Sequence, residues 1–304
     1  MKGNDKEDNP VKILITGSAG LVGRAVSNLL KANGCDVTHF DIADRAQEDV
    51  RNRTSVMSAV SDVDGVIHLA AVSRVVWAQN NPELCRSINK LGVRNVLDAI
   101  ERSAQPPWLI FASSREVYGQ QETIPVKDDA DLRPMNVYAR SKVFAEQEVA
   151  RLAADGFVAN SVRLSNVYGC PMDHPDRVVP AFAHASATGA PIRIEGKDNS
   201  FDFTHISDVA EGIVKLAMLA AGGATFSPLH LTTGQQTTLD DLANLALVNA
   251  RRPVQIYDAP PRDYDVANFC GSTTRARDVL GWTSSTSIED GFADLVARFQ
   301  KMAA

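Results

Sequence analysis

Apolar and polar positions in the first third of the chain switch repeatedly between a continuous run and a helical stripe. Val11 to Thr16 is a short apolar run ending in glycines, the pattern of a buried strand feeding a helix. Leu21, Val22, Ala25, Leu29 and Leu30 then recur at helical spacing until Gly34. Val37 to Phe40 reads as a second strand, with a helical stretch around Val56 to Val60 and a further strand over Val66 to Ala71. Leu84 to Ile100 returns to helical periodicity, and Trp108 to Ala112 to a strand. Strand and helix in alternation predict right-handed crossovers and an α/β, doubly wound parallel sheet.

Beyond about residue 170 the texture loosens, with Pro171, Pro175, Pro180, Gly189, Pro191 and Gly196 interrupting the pattern. The expected division is a frayed polar tail over 1–10, a nucleotide-binding domain over 11–169, and a smaller substrate-binding lobe over 170–304. Within that lobe, Val209 to Leu219 reads as an amphipathic helix that returns to the first domain.

Composition narrows the class. Of the 304 residues, 31 are Lys or Arg and 37 are Asp or Glu, a net charge of −6 without basic blocks. Such a chain is poorly suited to nucleic acid or to an anionic membrane. No apolar run is long enough to span a bilayer, and the opening MKGNDKEDNP offers no signal-peptide core. Cys35, Cys85, Cys170 and Cys270 are widely spaced, which suggests neither disulfides nor a zinc ribbon. The chain reads as soluble and cytoplasmic. The six histidines show no ligand spacing, so no metal site is expected, and Asp173-His174-Pro175-Asp176 reads as a loop over the substrate.

Chemistry concentrates at strand ends. Gly17, Gly20 and Gly23 form Gly-x-x-Gly-x-x-Gly at a strand-to-helix junction, where backbone amides and a helix N-terminus suit a pyrophosphate. A glycine-rich turn without a ligand is the alternative. Asp41 closes the second strand 18 residues after Gly23, where a carboxylate accepts from a ribose diol and repels a 2′-phosphate. NAD is therefore favoured over NADP, with Arg45 nearby as the opposing feature. Further on, Tyr138 and Lys142 are spaced by four at the start of a helix, one turn apart on one face. An ammonium beside a phenol favours the phenolate and makes it a usable base.

Phe111 to Gly119, which contains Ser114, Arg115 and Glu116, follows a buried strand at its carboxyl edge. With this segment the chain resembles the extended short-chain dehydrogenase/reductase family, and within it the nucleotide-sugar epimerase/dehydratase group, with its Rossmann-type fold. His68-Leu69-Ala70-Ala71, Asn89, the Arg163-to-Gly169 segment and Leu280-Gly281-Trp282 match further family motifs, so the resemblance spans nearly the whole chain.

The resemblance implies roles. Ser114 would bond the sugar's 4-hydroxyl, Tyr138 would take its proton, and Lys142 would hold the nicotinamide ribose and depress the Tyr138 pKa. The NAD site would extend over Gly17, Gly20, Leu21, Val22, Gly23, Asp41, Asp49, Val50, Leu69, Ala70, Ala71, Asn89 and Ala112. Ser73, Ser114, Arg115, Asn166, Arg177 and Arg262 would meet a nucleotide-diphosphate sugar, a UDP-sugar first. Trp282 would be structural, and two helices, Leu84 to Ile100 and Val137 to Leu152, would pair the chain as a homodimer.

Two departures stand out. Where many relatives carry an arginine for the diphosphate, this chain has Phe201-Asp202-Phe203, which leaves Arg262, Arg177 or Arg193 for the phosphates. Where a dehydratase has an Asp-Glu pair, it has Arg115 and Glu116, and arginine is no proton donor at neutral pH. That pair is equally readable as a surface ion pair flanking the site. The resemblance thus points to a 4-epimerase working through a transient 4-keto sugar. Dehydration or decarboxylation with Glu116 acting at C5 is the alternative, and a non-catalytic NAD-binding sensor is a third reading.

Overall fold

A computed structural model describes residues 10–303; of the expected tail, residues 1–9 lie outside the described residues. Six parallel strands make the central sheet, in the spatial order Leu229–Leu231, Ala159–Leu164, Trp108–Ser114, Gly65–His68, Lys12–Thr16, Asp36–Phe40. The chain starts at Lys12–Thr16, steps to the edge strand Asp36–Phe40, then reverses to Gly65–His68 on the other side. That reversal leaves a crevice at the carboxyl ends of the strands, the usual ligand position in such sheets. The strand expected to run to Ala71 ends at His68, whose register partners are Thr16 and Phe111.

Both faces of the sheet are covered, which is why its strands are almost continuously apolar. On one face, Leu21–Ala32 packs with Ile206–Ala221 over Ile13, Ile15, Ile67 and Ile110. The second of these helices contains the amphipathic Val209-to-Leu219 stripe. Trp282 lies under it, its indole N–H donating to the Asp208 carbonyl at 2.9 Å. On the other face, Arg53–Val60, Gly92–Arg102 and Val137–Ala154 cover Leu14, Val66, Leu109 and Phe111. The Leu84-to-Ile100 segment is interrupted by a π-turn, Ser87–Leu91, between Pro82–Arg86 and Gly92–Arg102.

A separate core joins helices Val178–Thr188, Leu239–Val248 and Ile288–Ala303 with the short strands carrying Ile192, Ile194, Phe201 and Phe203. No described helix is long and apolar enough to cross a membrane.

Candidate active site

A cavity of about 900 Å³ runs from the glycine turn across the strand ends to the second core. At its first end the fold demands glycine. Gly17 has φ of +70°, and a Cβ there would lie 2.7 Å from the Ala70 amide nitrogen; a Cβ on Gly23 would collide with the Gly17 carbonyl. Helix Leu21–Ala32 begins at Gly20 without a side-chain cap, and its first residues, Leu21, Val22 and Gly23, line the cavity. This is a cradle that favours an anion.

Asp41, at the end of its strand, accepts from the Ala19 amide at 3.0 Å and the Ala43 amide at 2.9 Å, which fixes its carboxylate beside the turn. Arg45 is directed to Glu48 at 3.2 Å instead. Asp49 and Val50 line the same end, with Asp49 held below the usual carboxylate range by its bonds to Arg51. These residues fit a dinucleotide with a free ribose diol.

In the middle of the cavity, Ser114, Tyr138 and Lys142 share one wall. Asn136 caps the tyrosine helix by accepting from the Ala139 amide at 2.8 Å, which starts the helix in time to place Tyr138 in its first turn. Burial pushes the Tyr138 phenol up to about 12, with the Ser114 hydroxyl and the Arg177 charge working against that shift. Burial pushes the Lys142 ammonium down to about 8. Its Nζ donates to the Ala112 carbonyl at 2.7 Å and stands 5.8 Å from the Tyr138 ring centroid. Desolvation thus outweighs the opposing charge at the phenol.

Arg115 and Glu116 are not a surface pair. Both are only 7% exposed and sit in the cavity wall, joined at 3.0 Å. The 3-10 turn Arg115–Tyr118 folds them inward beneath Ser114. Asn166 also lines the cavity and accepts from Arg115 Nε at 3.2 Å.

At the far end stand Arg177, Arg193 and Arg262. Arg262 is anchored by Asp265 at 2.6 Å and approaches Glu195 at 3.6 Å. Phe201 lines the same region but is turned against Arg115.

Among the residues expected at the site, Leu21, Val22, Leu69, Ala70, Ala71, Ser73 and Ala112 all border the cavity. Asn89 does not. It is buried, bonding the backbone of Val72 at 2.8 and 3.2 Å and the Ser141 hydroxyl at 2.9 Å. Its amide ties the loop after His68 to the tyrosine helix.

The sequence reading also passed over Asn136 and the pair that closes the loop over the cavity. Arg74 forms an ion pair with Asp176, and Trp77 packs edge-on against His174 at 4.5 Å. No local signal marks these contacts, which join residues about a hundred positions apart.

Comparison with known proteins follows the same lines. The profile of the NAD dependent epimerase/dehydratase family matches residues 13–226. The chain is similar to a UDP-glucose 4-epimerase of Mycolicibacterium smegmatis, 26% identical over 95% of this chain and 99% of the relative. It is 27% identical to UDP-glucuronate 4-epimerase 2 of Arabidopsis thaliana, over 95% of this chain and 75% of that one. Its fold superposes on the crystal structure of a UDP-glucose 4-epimerase of Thermus thermophilus in complex with NAD, with a TM-score of 0.87. That pair is 25% identical, and the match covers 95% of this chain and 99% of the other. The chain belongs to the NAD-dependent epimerase/dehydratase family.

Proposed function

We propose that this chain interconverts the C4 epimers of a nucleotide-diphosphate sugar, a UDP-sugar first, with NAD as its resident cofactor. The observation that carries the reading is the convergence of Ser114, Tyr138 and Lys142 on one cavity that also contains the Gly17–Gly23 cradle and Asp41. Bound NAD supplies an acceptor and donor of hydride at the sugar C4. The relatives named above as 4-epimerases support the choice of reaction.

The roles follow from chemistry. Ser114 orients the 4-hydroxyl, and Tyr138 accepts its proton. A phenol held up to about 12 is neutral near pH 7, so Tyr138 becomes a base only when positive charge joins the pocket. Lys142, whose Nζ donates to the Ala112 carbonyl, would hold the cofactor ribose, and the oxidised nicotinamide would add that charge beside it. Arg262, with Arg177 and Arg193, holds the diphosphate, since guanidinium suits a phosphate pair and Phe201 cannot. In this reading residues 11–169 hold the cofactor. Residues 170–304 hold the sugar nucleotide, apart from the helix Ile206–Ala221, the sheet strand Leu229–Leu231 and residues 274–282, which pack into the core of the sheet.

The deciding experiment is product analysis by mass spectrometry and NMR. Purified protein is incubated with UDP-glucose, UDP-galactose, their N-acetyl forms, UDP-glucuronate and dTDP-glucose. A product of unchanged mass with inverted C4 establishes the epimerase; loss of water or carbon dioxide overturns it. Pairing of two copies is part of the proposal, supported by the exposed Leu84 and Leu91 on the helical segment expected to meet its twin. Sedimentation equilibrium tests it, and a monomer at micromolar concentration removes it.

A further inference from the structure

Glu116 borders the cavity two residues after Ser114, and its amide donates to the Ser114 hydroxyl at 3.3 Å. A free carboxylate beside a 4-keto sugar endangers the substrate. The ketone acidifies the proton on C5, and its loss opens exchange or elimination instead of return to the alcohol. In this chain both carboxylate oxygens are engaged. Oε1 pairs with Arg115 Nη2 at 3.0 Å, and Oε2 accepts from Asn136 Nδ2 at 3.0 Å.

Arg115 is itself fixed. Its Nε donates to Asn166, and the rings of Phe201 and Phe269 lie 4.8 and 5.6 Å from its guanidinium carbon. An ion pair buried to this degree holds both partners, because releasing either leaves an uncompensated charge in the wall.

We propose that Arg115 is a positioning residue that decides the fate of the 4-keto sugar: by holding the Glu116 carboxylate it keeps the C5 proton in place. The proposal rests on the 4-epimerase reading above, whose NAD is the oxidant that generates the ketone. Without Arg115, the Glu116 carboxylate takes the C5 proton, and the C5–H electron pair moves into the C4 carbonyl to give an enolate. The carboxylic acid exchanges with solvent and returns a proton to C5 as the carbonyl re-forms.

The test compares wild type, Arg115→Ser, Arg115→Lys and the double variant Arg115→Ser/Glu116→Gln in deuterium oxide, with NAD and the UDP-sugars named above. NMR reads both C4 inversion and deuterium at C5, and circular dichroism checks folding. Wild type is expected to invert C4 without labelling C5. Arg115→Ser should raise C5 label per inversion at least about a hundredfold, the lower range of general-base catalysis, and the double variant should abolish the label.

The proposal is overturned if wild type labels C5 as fast as it inverts C4, or if folded Arg115→Ser inverts C4 without label. Arg115→Lys, which keeps the charge on Glu116, should leave C5 unlabelled; if Arg115→Ser is inactive, folded or not, Arg115→Gln takes its place, and an inverted but unlabelled product from folded Arg115→Gln overturns the proposal equally. Failure of wild type to invert C4 in any sugar instead overturns the 4-epimerase reading, and this proposal with it.

Discussion

The guanidinium carbon of Arg115 lies 4.8 Å from the centroid of the Phe201 ring. The arginine beside Glu116 and the phenylalanine of Phe201-Asp202-Phe203, far apart in the chain, are therefore in contact. An arginine at 201 would set a second guanidinium against the first in a wall with little water, where like charges repel strongly. Phenylalanine instead offers the negative face of its ring. In a double-mutant cycle of Arg115→Met and Phe201→Leu, read by urea denaturation, the coupling is expected to be about 1 kcal/mol. Additive single effects would show that the stacking contributes nothing.

Tyr138→Phe removes one hydroxyl from a buried helix face and leaves the glycine cradle and Asp41 untouched. C4 inversion is expected to fall by about a thousandfold, within the range for loss of a general base. Binding of NAD, followed by isothermal titration calorimetry, should change less than about tenfold, the net worth of one hydrogen bond. Retention of turnover would transfer the proton to another group.

Lys142 and Tyr138 give the stability of the chain a signed response to pH. The Lys142 pKa is lowered from 10.5 to about 8, so between those values the unfolded chain binds a proton that the folded chain lacks, and stability rises with pH. Tyr138 is raised from 10.0 to about 12, so over that span the folded chain holds the extra proton and stability falls. Relative to Lys142→Met, wild type should gain on the order of 3 kcal/mol between pH 8 and 10.5. Urea titrations at several pH values measure this. A pH-independent difference would mean that Lys142 titrates normally in the fold.

Arg163 Nε donates to Glu146 Oε1 at 2.9 Å with both side chains buried, and its Nη1 reaches Tyr118 Oη at 2.5 Å. Tyr118 belongs to the turn that carries Glu116, and Glu146 to the helix that carries Tyr138 and Lys142. Arg163→Met alone should destabilise by about 3–5 kcal/mol, because it strands a buried carboxylate. A loss below about 1 kcal/mol would mean that Glu146 finds water or is protonated at little cost.

Arg262 is half-exposed at the cavity's far end and pairs with Asp265, whose carboxylate is partly covered and stays within reach of water when the arginine is removed. Arg262→Ala is expected to weaken UDP binding about tenfold, the worth of one charge-assisted phosphate contact, with folding unchanged. Calorimetry with UDP decides, and unaltered affinity would assign the diphosphate to Arg177 and Arg193.

Much of this was legible in the sequence, for a common reason. The crossovers announce themselves through apolar period. The Gly17–Gly23 turn and Asp41 are local features at strand ends, and Tyr138 with Lys142 needs only the pitch of a helix. The Asn89 motif gives a position but not a direction, and in the fold the side chain turns inward to Val72 and Ser141. The inward fold of Arg115 and Glu116 was equally hidden, since two adjacent charges read as solvated until something covers them.

What the sequence by itself determined is what its periods and turns encode: the parallel sheet, the cofactor cradle, and the spacing of the serine, tyrosine and lysine. What only the tertiary structure decided is the company these groups keep. Asn136 both starts the tyrosine helix and holds Glu116, Phe201 stacks on Arg115, and Arg74 reaches Asp176 across the cavity. These are contacts between segments brought together by packing. Their strength comes from exclusion of water, which a linear pattern of residues does not specify.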